Sequence, residues 1–176
     1  MARIELIDPD KDPANRDLVK QIRGQRRGKF LNIYKLLLHS PTLAEAWFNF
    51  NNAVRWGIKI DSRLREIVII RIAILNGSEY TLQQHTGELA DAEGLSNKEC
   101  DAIENWRESN NFNSKERAAL AVTDAMTRNV SIPDKTFEPL RKHFSEREIL
   151  ELAVLIGSYN MHTRTFQALQ ADLETN

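Results

Sequence analysis

Leu64-Arg65-Glu66-Ile67-Val68-Ile69-Ile70-Arg71-Ile72-Ala73-Ile74-Leu75 is a run of branched aliphatic residues broken by one acid and two arginines. It reads as a buried strand or as a helix that is apolar nearly all round. Its surroundings favour the helix. Asp61-Ser62 supplies a cap at one end and Asn76-Gly77 a stop at the other. No other convincing strand exists in the chain to pair with it. A helix with so little polar face must be central to its fold or covered by another subunit. The run is too short to span a bilayer, and Arg71 interrupts it.

Working outward, helix signals dominate. Ser40-Pro41 offers an N-cap with proline at the first helical position, followed by Leu43, Ala46, Trp47, Phe50 and Val54 at helical spacing. Ser78 caps a helix that should run to about Ala92, with Gly94 as its stop. Ser96-Asn97-Lys98-Glu99 is a capping box with Leu95 and Cys100 as its staple, and Ser145-Glu146-Arg147-Glu148 is a second, with Phe144 and Ile149. Ser114 opens a helix through Leu120, Val122 and Met126, and Pro133 begins a short one bearing Phe137 and Leu140. The last helix carries Leu152, Ile156, Tyr159, Thr163 and Phe166. Residues 8–13 read as a turn and residues 29–38 as helical. No linker separates two domains, so residues 1–176 are expected to form a single all-α domain.

The chain has 176 residues, 41% hydrophobic and 28% charged, with a net charge of −1. That balance gives no global attraction to nucleic acid or to an anionic membrane. The basic cluster Gly24-Gln25-Arg26-Arg27-Gly28-Lys29 is expected to be a solvated turn. Cys100 is the one cysteine, so no intramolecular disulfide can form, and the start of the chain lacks the apolar stretch of a signal peptide. A cytoplasmic protein is expected. The histidines have no metal-ligand spacing, and no phosphate-binding glycine loop or Gly-x-Ser-x-Gly is present. Neither a metal nor another cofactor is expected.

Ser78, Thr81 and His85 share one face of the predicted helix, and Glu66 lies on the apolar run before them. An acid, two hydroxyls and an imidazole that converge can move protons. If that face of the run is buried, the Glu66 carboxyl is desolvated and its pKa should rise towards neutrality. The blander reading is an ion pair with Arg63, Arg65 or Arg71. Ser78 is then simply an N-cap, and Thr81 satisfies backbone donors. Tyr159, Asn160, His162 and Arg164 form a second polar group, read as an interhelical cluster or as a carboxylate-binding face.

The stretch 64–71, then Asn76-Gly77-Ser78-Glu79-Tyr80, then His85, resembles the carboxymuconolactone decarboxylase and alkylhydroperoxidase-D-like superfamily. His39-Ser40-Pro41-Thr42-Leu43, Ala92-Glu93-Gly94-Leu95-Ser96, Glu116-Arg117-Ala118 and Thr123-Asp124 fit the same pattern, and the likeness extends over residues 34–173. It implies an AhpD-like helical fold that self-associates as a homotrimer or homohexamer. In the superfamily's peroxidase branch a Cys-x-x-Cys pair precedes the histidine. Here those cysteines fall on Ser78 and Thr81, and a hydroxyl does not perform disulfide chemistry. The decarboxylase branch fits better, although many members carry glutamate where this chain has Thr81.

The resemblance therefore implies a lyase-type, cofactor-independent proton-transfer enzyme acting on a small anionic molecule. His85 would be the general acid/base and Glu66 its partner. Ser78, Tyr80 and Thr81 would line the pocket, and Arg71 or Arg164 would hold substrate charge. The rival expectation is a non-catalytic oligomer that binds a ligand or partner. A thiol peroxidase resting on Cys100 is the third.

Overall fold

A computed structural model describes residues 1–25 and 28–174, so Arg26 and Arg27 of the basic cluster lie outside the described residues. After two 3-10 turns at Pro9–Lys11 and Pro13–Asn15, the helices are α1 (Arg16–Gln25), α2 (Asn32–Leu37), α3 (Pro41–Trp56), α4 (Ser62–Asn76), α5 (Glu79–His85), α6 (Glu88–Ala92), α7 (Asn97–Ala102), α8 (Ser114–Asn129), α9 (Asp134–Arg141) and α10 (Glu146–Ala168). The described residues contain no strand. Contacts divide the chain into two compact units, residues 1–53 with 165–176, and residues 54–164.

The first unit has its own small core. Ile22, Tyr34 and Phe48 are buried together, with Phe30, Leu31 and Leu37 packed against them. Tyr34 meets Phe48 edge-on at 5.9 Å, a geometry that the ring quadrupoles favour.

The second unit is built around α4. Asp61 caps it by accepting from the Leu64 N–H at 2.9 Å. Gly77, at φ 64°, ends it in the left-handed conformation, which a β-carbon would strain. The apolar run is indeed a helix, and it needs no second subunit to cover it. One side, Leu64, Val68, Ile69 and Ile72, packs with Ala119 and Val122 of α8 and with Leu152, Leu155 and Ile156 of α10. The other side, Ile67 and Ile70, packs with Leu95, Ile103, Trp106, Phe112 and Leu120. Each such side chain withdrawn from water contributes roughly 1.5–3 kcal/mol before the entropy of ordering it is subtracted.

Both capping boxes form: the Ser96 N–H donates to Glu99 Oε2 at 3.0 Å and the Ser145 N–H to Glu148 Oε2 at 2.8 Å. Their staples are buried or half-buried as expected. Two details differ from the sequence reading, the cap of α8, which opens at Ser114 as expected, and the length of the helix that Ser78 opens. The cap of α8 is Asn113, whose side chain accepts from the Glu116 N–H at 3.0 Å. The helix expected from Ser78 to Ala92 breaks at Thr86-Gly87: Thr86 is extended, its hydroxyl donates to the Leu82 carbonyl at 2.7 Å, and Gly87 takes φ 68°.

Candidate functional site

Four side chains of the second unit meet at one point. Glu66 lies in the middle of α4 with no exposed surface. Arg55 comes from the last turn of α3, His85 from the last turn of α5 and Tyr159 from α10. The tight turn at Gly77 lets α5 return alongside α4, so the nineteen-residue separation of Glu66 and His85 closes to 2.6 Å between Oε2 and Nδ1.

The other carboxylate oxygen, Oε1, accepts from Arg55 Nη2 at 3.3 Å and from Arg65 Nε at 3.4 Å. Arg65 is itself anchored: its Nη1 donates to the Arg55 carbonyl at 2.8 Å, and its Nη2 is 3.2 Å from Glu93 Oε1. Two guanidiniums and two carboxylates therefore balance. Trp56, exposed to 61%, lies against both guanidiniums at 5.0 and 5.3 Å from its ring centre.

These charges overturn one expectation. Burial alone would lift the Glu66 pKa, but His85, Arg55 and Arg65 outweigh it and hold the carboxyl at about 2. Glu66 is a fixed anion at neutral pH and not a proton donor. For His85 the balance runs the other way. Burial lowers its pKa, Glu66 opposes that, and Arg55 and Arg65 reinforce it. The imidazole is accordingly neutral near pH 7.

The tautomer follows from the chemistry of the neighbours. A carboxylate only accepts, so Nδ1 carries the hydrogen and donates to Glu66. Arg55 Nη1, 3.4 Å from the same nitrogen, then acts through its charge. Nε2 keeps its lone pair, and no hydrogen bond is recorded at it among the described residues. An ionised acid fixing the Nδ1–H of a neutral histidine leaves a base at Nε2.

Tyr159 completes the group. Arg55 Nη1 donates to its Oη at 3.2 Å. Its ring meets His85 edge-on at 5.4 Å and His162 at 5.0 Å. Burial raises the phenol pKa against the pull of Arg55. His162 is held neutral down to about 3 by burial, with His85 and Arg55 adding repulsion.

The remaining expected site residues are placed differently from one another. Ser78 caps α5, accepting from the Thr81 N–H at 3.4 Å, and its hydroxyl donates to Thr81 Oγ1 at 3.0 Å. Both are buried, two turns and one turn before His85, and Tyr80 is buried between them in sequence. Arg71 is not brought to the pair. Its Nε donates to Asp124 Oδ1 at 2.6 Å and its Nη1 to the carbonyls of Ile103 and Glu104. Arg164 is exposed and donates to the Thr127 carbonyl at 2.8 Å. Asn160 belongs to an interhelical cluster: it accepts from Asn76 at 3.0 Å and donates to Thr127 Oγ1 at 3.0 Å.

Sequence reasoning missed Arg55 altogether. Nothing local marks an arginine at the end of α3 as buried. Tyr159 had a signal, because it falls on the same helical stripe as Leu152 and Ile156. Cys100 is buried in the second core, and burial, followed by Asp101 and Glu99, raises its pKa. Such a thiol is unreactive. Among the described residues no group of three or more His, Cys, Asp or Glu could hold a metal ion, and no helix is long and apolar enough to cross a membrane.

The model of the carboxymuconolactone decarboxylase family matches residues 41–125, which include Arg55, Glu66, Ser78, Thr81 and His85. YdfG of Bacillus subtilis, an uncharacterized protein, is 26% identical over 107 residues, covering 60% of this chain and 72% of its own length. Among solved structures, a protein of unknown function from Agrobacterium tumefaciens, named for antioxidant defence of the AhpD kind, is 29% identical with a TM-score of 0.75, over 80% of this chain and 97% of that one. A peroxidase-related protein from Silicibacter has a TM-score of 0.84 at 21% identity, over 99% of this chain and 92% of its own, a likeness of fold alone. The match to the carboxymuconolactone decarboxylase family therefore extends over residues 41–125, and the chain shares the AhpD-like helical fold.

Proposed function

We propose that the protein is a cofactor-independent, lyase-type enzyme that moves a proton on a small anionic organic molecule. The observation that carries this reading is the 2.6 Å contact between His85 Nδ1 and the fully buried Glu66 carboxylate. It fixes the tautomer that leaves Nε2 basic. His85 is then the general acid/base and Glu66 its orienting partner. Ser78, Tyr80 and Thr81 line the approach along α5. Arg55, already beside His85, is the cation that an anionic substrate meets.

Without the Cys-x-x-Cys pair, with Ser78 and Thr81 in its place and Cys100 buried, thiol peroxidase chemistry is disfavoured. A homotrimer or homohexamer goes with this reading. Leu150, Val154 and Met161 fall on one stripe of α10 and are exposed to 64%, 38% and 39%, a face suited to a second copy.

The test is to incubate the protein with a panel of small lactones and keto acids in deuterated water and follow carbon-bound proton exchange and carbon dioxide release. Turnover that falls about 10²–10⁴-fold in His85→Ala, with the fold intact, supports the reading. Turnover that is indifferent to His85 removes it.

A further inference from the structure

Tyr159 is the one member of the site whose chemistry the His85 and Glu66 pair does not use. It is only 3% exposed, yet its phenol group is incompletely spent. The guanidinium of Arg55 has hydrogens and no lone pair, so at 3.2 Å it must donate and the phenol oxygen must accept. The phenol's own hydrogen therefore points elsewhere, and among the described residues no acceptor is recorded for it. A buried hydroxyl ordinarily finds an acceptor. Arg55 also polarises the phenol and makes it a stronger donor. The same Nη1 that binds Oη is 3.4 Å from His85 Nδ1, and the two rings meet edge-on at 5.4 Å, so donor and base belong to one site. Burial keeps the phenol protonated and able to donate.

A base that removes a proton from carbon is half of a reaction. The electron pair left behind needs somewhere to go. When the carbon adjoins a carbonyl, the pair moves to the carbonyl oxygen, and a donor aimed at that oxygen is the missing half.

We propose that Tyr159 is a catalytic residue, whose hydroxyl, held by Arg55 beside His85, donates to the carbonyl oxygen of an enolisable ketone, ester or lactone as that oxygen becomes negative. This rests on the proton-transfer reading of the site and names its substrate class. In the step, His85 Nε2 takes the proton from the carbon next to the carbonyl. The C–H pair becomes the C=C bond of an enolate, and the carbonyl π pair moves to oxygen. Tyr159 hydrogen-bonds to that oxygen and remains a phenol. If a carboxylate is lost from that carbon instead, the C–C pair enters the same enolate, carbon dioxide leaves, and the enolate carbon takes a proton that His85 Nε2 relays from solvent water.

The experiment uses a stable oxyanion, 4-nitrophenolate, as a probe, with binding followed by its absorbance for the wild type, Tyr159→Phe and His85→Ala. Thermal unfolding confirms that each variant is folded. Arg55→Lys, which keeps the charge and withdraws the guanidinium fork from Oη, is the second variant should Tyr159→Phe fail to fold. Binding at least tenfold weaker in Tyr159→Phe, or in Arg55→Lys, and retained in His85→Ala is the expected result. Equal binding by wild type and Tyr159→Phe, or none by the wild type, overturns the proposal.

Carbon-proton exchange is read in parallel. Tyr159→Phe should lose about 10²–10³-fold in kcat with KM little changed. Exchange lost in His85→Ala but kept in Tyr159→Phe leaves the proton-transfer reading standing and removes Tyr159. Tyr159-dependent probe binding without exchange on any substrate does the reverse, keeping the oxyanion site and removing the reaction.

Discussion

Glu66 Oε2 faces His85 Nδ1 at 2.6 Å, and the carboxylate that makes this contact has no exposed surface. The contact is one part of a charge balance. Replacing Glu66 by Gln keeps the shape and removes the charge, leaving Arg55 and Arg65 buried against a neutral amide. Breaking a buried pair in this way costs about 3–5 kcal/mol. Urea unfolding of Glu66→Gln should show that loss. The His85 titration should also move to lower pH, because Glu66 is the group that favours the imidazolium. A variant as stable as the wild type would mean that the two arginines do not depend on Glu66.

Arg55 should have the opposite influence on His85. The charged and titratable groups around that imidazole are Glu66 and Arg65 from α4, Arg55 from α3, and Tyr159 and His162 from α10. Of these, Arg55 and Arg65 oppose its protonation. Arg55→Met should therefore raise the His85 pKa, read by NMR titration of the ring nitrogens, and shift the acid limb of any pH–rate profile upward with it. Arg55→Lys should leave the titration closer to that of the wild type. A downward shift in Arg55→Met would show that the arginine acts chiefly by holding Glu66 in place.

His162 gives the fold a dependence on acid. Its folded pKa, about 3, lies below its ordinary value of 6.5. Between those values the unfolded chain binds a proton that the native protein refuses, so stability rises with pH. It is fully present above pH 6.5 and is lost as pH falls towards 3, by on the order of 4 kcal/mol if His162 acts alone. His85 adds to the slope in the same direction. Glu66, with a depressed pKa, contributes stability that is lost from about pH 4.5 down to about 2. Calorimetric melting from about pH 7.5 to about 4.5 should show a falling Tm, and His162→Phe should flatten it. An equal slope in the variant would assign the acid sensitivity elsewhere.

These charge effects mark where the sequence is informative and where it is not. Caps and stops are local chemistry, so Asp61, Gly77, Ser96 and Ser145 were legible directly. The break at Thr86-Gly87 was not, because a glycine inside a helical pattern does not declare which φ it takes. Helix faces place Ser78, Thr81 and His85 together, but the meeting of Glu66 with His85 depends on the tight turn at Gly77 and on packing that the sequence does not show. The sign of the Glu66 shift was not legible either. It depends on Arg55, eleven residues earlier in the chain, whose guanidinium meets the Glu66 carboxylate only once the connection between α3 and α4 is folded. The partner of Arg71 is illegible for the same reason, since Asp124 lies 53 residues further along the chain.

That last partner can separate structure from chemistry. Asp124 is 4% exposed and accepts from Arg71 Nε at 2.6 Å, Arg107 Nη2 at 3.0 Å and Trp106 Nε1 at 3.3 Å. Asp124→Ala leaves the Arg71 guanidinium buried with only carbonyl acceptors, and should cost about 3–5 kcal/mol in urea unfolding. Arg71 takes no part in the hydrogen bonds of Glu66 or His85. The His85 NMR titration should therefore be unchanged in Asp124→Ala, and turnover per folded molecule should stay within about twofold of the wild type. If KM rises sharply while the His85 titration holds, Arg71 does carry substrate charge, and its bond to Asp124 positions it for that task rather than only closing the core.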